Sequence, residues 1–165
     1  MDRRKIRFRL KKQENSNNSI QQDMNWNVDF GRLLYEVTDG NNEDIRKAVI
    51  IGSKPPENDS LWSAASNAGF KVVTHDRNCI GKEKMIDSEI DGEIYESLYE
   101  ESKEGDTFVL ISGDSDFVPA AKRIKKKNRK IIVASFNSPL SAELKKEAND
   151  YIELDSIIDK ITHEK

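Results

Sequence analysis

The stretch Phe108-Val-Leu-Ile-Ser-Gly-Asp-Ser-Asp-Phe117 decides the fold, because an unbroken apolar run gives way at once to a glycine, two carboxylates and the start of a helix. Continuous hydrophobicity of this kind marks a strand covered on both faces, and hence a parallel sheet with helices on either side. Thr107 to Ser112 is the expected strand, Gly113 permits the turn, and a helix is expected from about Ser115 to Lys127. In doubly wound sheets ligand sites form where such a strand ends. Asp114 and Asp116 are therefore candidate ligands for a hard divalent cation, Mg²⁺ or Mn²⁺, which takes oxygen donors and keeps coordinated water. The plainer alternative is that Asp114 or Ser115 caps the helix while Asp116 favours its positive end. Two carboxylates together with Ser112, between a buried strand and a helix, favour the metal.

Working outward, short apolar runs alternate with amphipathic segments from Lys47 onward, the pattern of βαβ units. Ala48 to Ile51 reads as a buried strand ended by Gly52 and Pro55-Pro56. Leu61 to Gly69 reads as a helix, Phe70 to Thr74 as a strand, and His75 to Glu83 as a polar loop. Met85 to Ser102 is a long helix whose Ile86, Ile90, Ile94 and Leu98 make one apolar face. Lys130 to Phe136 returns as a second buried strand, expected beside Phe108 to Ile111 in the sheet interior. Leu140 to Ala148, Tyr151 to Leu154 and Ser156 to Ile161 close the chain as helix, strand and helix. The expected fold is a three-layer αβα domain, Rossmann-like, with a central mainly parallel sheet.

The first part is less orderly. Trp26, Phe30, Leu33, Leu34 and Val37 have helical spacing and predict an amphipathic helix. Lys5 to Lys11 alternates basic with apolar residues, which suits an edge strand or a basic arm better than a strand covered on both faces. Residues 1–24 are accordingly set apart as a basic and polar arm, or a divergent first strand and loop, from a domain over 25–162.

Asp87 adds to the acidic motif. At about 100° per residue it lies between Ile94 and Leu98 in direction, so it points with the apolar face of its helix and needs a partner there. A cation shared with Asp114 and Asp116 would be one. Glu89, Glu96 and Glu100 point away and read as a solvated face, whereas Asp91 and Glu93 lie at the margins of the apolar face, open to either reading.

Charge is strongly segregated behind a net charge of −3. Seven of the first twelve residues are basic, as are seven of the nine from Lys122 to Lys130, while Glu83 to Asp106 carries ten carboxylates. The basic helix begins at the acidic motif, so Lys122, Lys125, Lys126 and Arg129 are candidate contacts to a nucleic-acid backbone, with a solvated helix face as the alternative. Cys79 is the lone cysteine and no apolar run approaches the ~20 residues that span a bilayer, so a reducing, cytoplasmic setting without a membrane partner is expected.

These residues resemble a family. Ser112-Gly-Asp-Ser-Asp-Phe117 with Val118-Pro119 and the following helix and strand looks like the signature of NYN domains, of the LabA-like branch of the PIN-like nucleases. Lys82-Glu-Lys-Met-Ile-Asp87 is similar to the family's Lys-Gly-Val-Asp opening of the long helix, and the resemblance covers about Trp26 to Ile158. It implies a PIN-like fold and Mg²⁺- or Mn²⁺-dependent cleavage of single-stranded or structured RNA. Asp87, Asp114 and Asp116 match the family's catalytic, metal-binding carboxylates, and Glu93 falls where many members have a further acidic ligand. Ser112 and Asn15 match polar positions beside the substrate. The chain departs from the pattern at Lys12, which stands where the family's first-strand Asp supplies a ligand, and an ammonium cannot ligate a cation. The alternative implied is a catalytically degenerate NYN-type module that binds RNA or protein. A nucleotide-binding or phosphoacceptor domain fits less well, since no Gly-rich phosphate loop is present. His75 and His163 lack a second ligand at metal spacing and read as surface residues. Oligomeric state is not legible.

Overall fold

The computed structural model describes residues 4–9, 26–54, 60–76, 82–137 and 140–164. Its strands are β1 (Arg4–Arg9), β2 (Trp26–Val28), β3 (Ala48–Lys54), β4 (Lys71–Asp76), β5 (Thr107–Ile111), β6 (Lys130–Ser135), β7 (Asp150–Glu153) and β8 (Thr162–Glu164). The helices are α1 (Phe30–Val37), α2 (Ser60–Asn67), α3 (Lys82–Glu96), α4 (Val118–Lys126), α5 (Ala142–Glu147) and α6 (Ile158–Ile161).

The main sheet is six-stranded, in the order β4-β3-β1-β5-β6-β7. All its pairings are parallel. The chain winds from β1 outward through β3 to β4, then crosses back to start again at β5, so the order reverses between β1 and β5. That reversal opens a crevice at the carboxyl ends of the strands, the place where doubly wound sheets bind ligands. The acidic motif leaves β5 at this point.

Period-two alternation on the buried strands divides the core in two. Val109 and Ile111 pack with Ile50, Phe30, Leu33, Trp62 and Ile161, under α1, α2 and α6. Phe108 and Leu110 pack with Ile90, Ile94, Leu98, Ile124, Val133 and Leu144, under α3, α4 and α5. The two clusters make the three-layer αβα architecture expected from the sequence, and β5 and β6 are adjacent interior strands, as their apolar runs predict.

Two expectations at the start of the chain are corrected. β1 is neither an edge strand nor an arm, because it is hydrogen-bonded to β3 on one side and β5 on the other, with Phe8 opposite both Ile50 and Ile111. Backbone pairing is indifferent to the basic side chains that suggested an edge, and the two flanking apolar strands supply it on both sides. Trp26 lies outside the helix. It belongs to β2, paired antiparallel with β8, and α1 starts only at Phe30, where the Asp29 side chain caps it by accepting from the Arg32 N–H at 3.0 Å.

The long helix also ends differently. A stripe repeating every four residues drifts by about 40° per step on a 3.6-residue helix. Here α3 runs into a π-helical turn over Ser97–Glu101, closed by the Ser102 N–H on the Ser97 carbonyl at 2.8 Å, and Leu98 remains buried.

One close approach tests this packing. A Cβ added at Gly52 of β3 would stand 2.5 Å from the Trp62 ring of α2, itself only 8% exposed. Gly52→Ala is expected to destabilise the fold by about 1–3 kcal/mol in urea unfolding, as overpacking does. Adding Trp62→Phe should recover part of that loss, and a double variant no more stable than Gly52→Ala would show that the clash is not what costs stability.

Candidate metal centre

The end of β5 is held from three sides. Ser112 is buried, and its Oγ accepts the Asp114 N–H at 3.2 Å. The Gly113 carbonyl accepts the Ser141 N–H at 2.8 Å, fastening the motif to the start of α5. Residues Ser115–Phe117 then form a single 3₁₀ turn capped by Asp114, whose Oδ1 accepts the Asp116 N–H at 3.0 Å. Phe117, fully buried beneath α3 and α4, anchors that turn. Pro119 suits the start of α4, where its missing N–H costs nothing. The capping role open to Asp114 from the sequence is thus realised, and it leaves the carboxylate at the crevice.

α3 brings the third carboxylate. Ile86 and Ile90 are buried on either side of Asp87 and hold the first turns of the helix against the sheet. One oxygen each of Asp87, Asp114 and Asp116 can be chosen so that all lie within 4.8 Å of one another. The structure therefore brings together the three aspartates named from the sequence, at the strand-order reversal.

Asp91 joins them, one turn along α3. Its Oδ1 is buried without a hydrogen-bond partner. Burial, with the negative charges of Asp87 and Asp116, raises its pKa above the usual aspartate value. Glu93 does not join the group. Its carboxylate is bound by Lys47 at 2.9 Å and Lys71 at 3.1 Å, and although burial alone would raise its pKa, these two cations bring it below the usual value. The reason is angular. Residue 91 is about 40° from residue 87 around a helix, whereas residue 93 is about 120° away. The spacing of four between Asp87 and Asp91 was the available signal.

An all-carboxylate donor set suits a hard divalent cation. The fit shows in the charge balance, since beside the three clustered aspartates lies a fourth carboxyl whose pKa is raised by burial and by the charges of Asp87 and Asp116.

The basic candidates separate. Lys122 and Lys126 line an open concavity beside Tyr99. Lys125 turns instead to Glu147 at 3.6 Å on α5. Arg129 is used structurally, donating to the Ser102 Oγ at 3.1 Å and the Ser102 carbonyl at 2.8 Å. Asn15 and Lys12 lie outside the described residues. His75 pairs with Glu89, and His163 is exposed. No helix among the described residues is long and apolar enough to cross a membrane.

Comparison with known proteins agrees with this geometry. A protein of unknown function from Vibrio parahaemolyticus has a similar fold, with a TM-score of 0.69 at 16% identity over 98% of this chain and 97% of that one. No curated protein matches the sequence. The NYN domain profile matches residues 14–155, which include α3, β5 and the whole acidic motif. The chain belongs to the NYN domain family of PIN-like nucleases.

Proposed function

We propose that this protein is a metal-dependent endoribonuclease that hydrolyses phosphodiester bonds of single-stranded or structured RNA. The observation that carries this reading is the convergence of Asp87, Asp114 and Asp116 within 4.8 Å at the carboxyl end of a doubly wound sheet. Membership of a nuclease family supports the reaction class.

Asp87, Asp114 and Asp116 would hold one or two Mg²⁺ or Mn²⁺ ions, which when bound supply Lewis acidity to activate water and neutralise charge on the phosphodiester. The rest falls to the chain. The Asp116 N–H donates to the Asp114 carboxylate and the Ser112 hydroxyl accepts from the Asp114 backbone N–H, which together orient Asp114 before substrate arrives, so little reorganisation is needed. The buried Phe117 fixes Asp116 in turn, while its side chain stays exposed to a substrate entering from solvent. Asp91 retains its proton to higher pH than an ordinary aspartate and is suited to exchange a proton with the attacking water. No side-chain nucleophile is required.

A second reading follows from the resemblance, which implies that Lys12 takes the place of an acidic ligand. On that reading the protein is a degenerate module that binds RNA or protein without cleaving. Metal-dependent turnover separates the two.

Two outcomes are expected. Purified protein with Mn²⁺ or Mg²⁺ should cleave a fluorescent single-stranded RNA, and Asp114→Asn should lower the rate at least about a hundredfold, on the scale of lost electrostatic stabilisation. Cleavage that persists in EDTA, or that survives Asp114→Asn, would sink the nuclease reading. A saturating cation should also raise the unfolding free energy of the wild type, by about 2.7 kcal/mol at a hundredfold excess over Kd, and leave Asp114→Asn unmoved.

Stability should depend on pH through Asp91. Its folded pKa is raised, so its favourable contribution is complete below the ordinary value of 3.8 and is lost as pH rises through the folded pKa. At neutral pH the ionised group is a cost. Asp91→Asn should therefore stabilise the metal-free protein at pH 7, by up to about 1 kcal/mol after solvent screening, with no gain near pH 3. A variant less stable than wild type at pH 7 would contradict this.

A further inference from the structure

α3 and α4 lie side by side on one face of the sheet, both starting at its acidic end, and the concavity along their outer surface is basic and aromatic. It has a volume of about 510 Å³ and is lined by Tyr99, Pro119, Lys122, Arg123, Lys126 and Lys127. Two rungs recur at a spacing of four residues. Arg123 lies 5.3 Å from the centre of the Tyr95 ring, and Lys127 lies 5.1 Å from that of Tyr99. Four residues advance a helix by about 6 Å, so the rungs form a ladder leading away from the carboxylates.

Lys122 and Lys126 make a parallel row one residue earlier on α4. Among the described residues, Arg123, Lys126 and Lys127 make no ion pair with a carboxylate, and Lys122 only brushes exposed Glu143 at 3.5 Å. Three neighbouring cations thus lack a carboxylate partner, and the fourth has only an exposed one. Tyr99 is 52% exposed, and the π-helical turn over Ser97–Glu101 carries it. Such turns are frequent at functional sites. A surface needing only solubility would have no use for an exposed tyrosine ring among these cations.

We infer that this groove binds single-stranded RNA, with phosphates on Lys122, Lys126 and Lys127 and a base stacked on Tyr99, and so holds the strand leading to the acidic centre. The inference rests on the reading of that centre as an RNA-cleaving site, since it makes the groove its substrate track. Lys122 and Lys126 are six and ten residues beyond Asp116, about 9 and 15 Å along a helix, which leaves space for two or three nucleotides between the scissile phosphate and the stacked base. Alternating rings and cations match the alternating bases and phosphates of a strand. An acidic peptide would engage the cations and leave Tyr99 idle.

The test is RNA binding by fluorescence anisotropy in EDTA, where cleavage is absent, using an eight-nucleotide uridine oligomer. Tyr99→Ala should weaken binding about tenfold without changing its salt dependence, and Tyr99→Phe should retain the affinity. Lys126→Glu with Lys127→Glu should weaken binding and flatten the slope of log affinity against log salt by about 1.4, at ~0.7 per phosphate contact. A polyglutamate peptide should compete poorly. The groove assignment is overturned if the lysine and tyrosine variants bind RNA as wild type does, or if polyglutamate competes equally and Tyr99→Ala has no effect. Either result can coexist with metal-dependent cleavage lost in Asp114→Asn, which would leave the nuclease reading standing. Conversely, binding that follows the predicted pattern in a protein that cleaves no RNA would uphold the groove and remove the nuclease.

Discussion

Mutual repulsion among carboxylates is the constraint around which this molecule is organised. At 4.8 Å, two full charges in an effective dielectric of about 20 repel by roughly 3 kcal/mol, an upper figure here because solvent screens the exposed Asp116. Nothing in stability alone recommends such a cluster. Glu93, on the same helix, shows the alternative, with Lys47 and Lys71 in place to neutralise it. Beside Asp87, Asp114 and Asp116, burial together with the charges of Asp87 and Asp116 instead raises the pKa of Asp91 above the usual aspartate value. The fold absorbs that cost where a divalent cation would return it.

The surroundings of the cluster are rigid for this purpose. β5 is buried along its whole length, Phe117 is buried immediately after the motif, and the Ser141 N–H ties Gly113 to α5. α3 is pressed onto the same sheet by Ile86, Ile90, Ile94 and Leu98. The backbone positions that carry these carboxylates are fixed by that packing. The same two helices that start at the acidic pole carry Tyr95, Tyr99 and the α4 cations along their length, so attraction for a polyanion lies next to a centre that by itself would repel one.

Much of this was legible in the residues. The four apolar residues before Ser112 imposed a strand with no polar face, and the alternation that follows it allowed few topologies besides a doubly wound sheet. Asp87 was legible because an aspartate on an apolar helix face needs an explanation. The choice between Asp91 and Glu93 was also present as an angle around the helix, but alignment to a family position pointed to residue 93 while the geometry of this helix brings residue 91 to the cluster. Lys125 and Arg129 differ from Lys126 and Lys127 only by which neighbour lies alongside, Glu147 and Ser102 in their case, and no single-helix pattern contains that information. β1 was illegible for another reason. Its position depends on hydrogen bonds to β3 and β5, both distant in sequence, and its basic alternation carries no trace of them. The short β2–β8 pairing, which takes Trp26 out of the helix, is equally non-local.

Whether Asp87, Asp114 and Asp116 form one divalent-cation site is read directly by paramagnetic broadening of backbone amide NMR signals by substoichiometric Mn²⁺. Signals from residues 87–91 and 113–116 should disappear first, added Mg²⁺ should restore them, and Asp114→Asn should abolish the selective loss. Broadening spread evenly over exposed carboxylates such as Glu104, Glu143 and Asp159, with the acidic motif no more affected than they are, would contradict it.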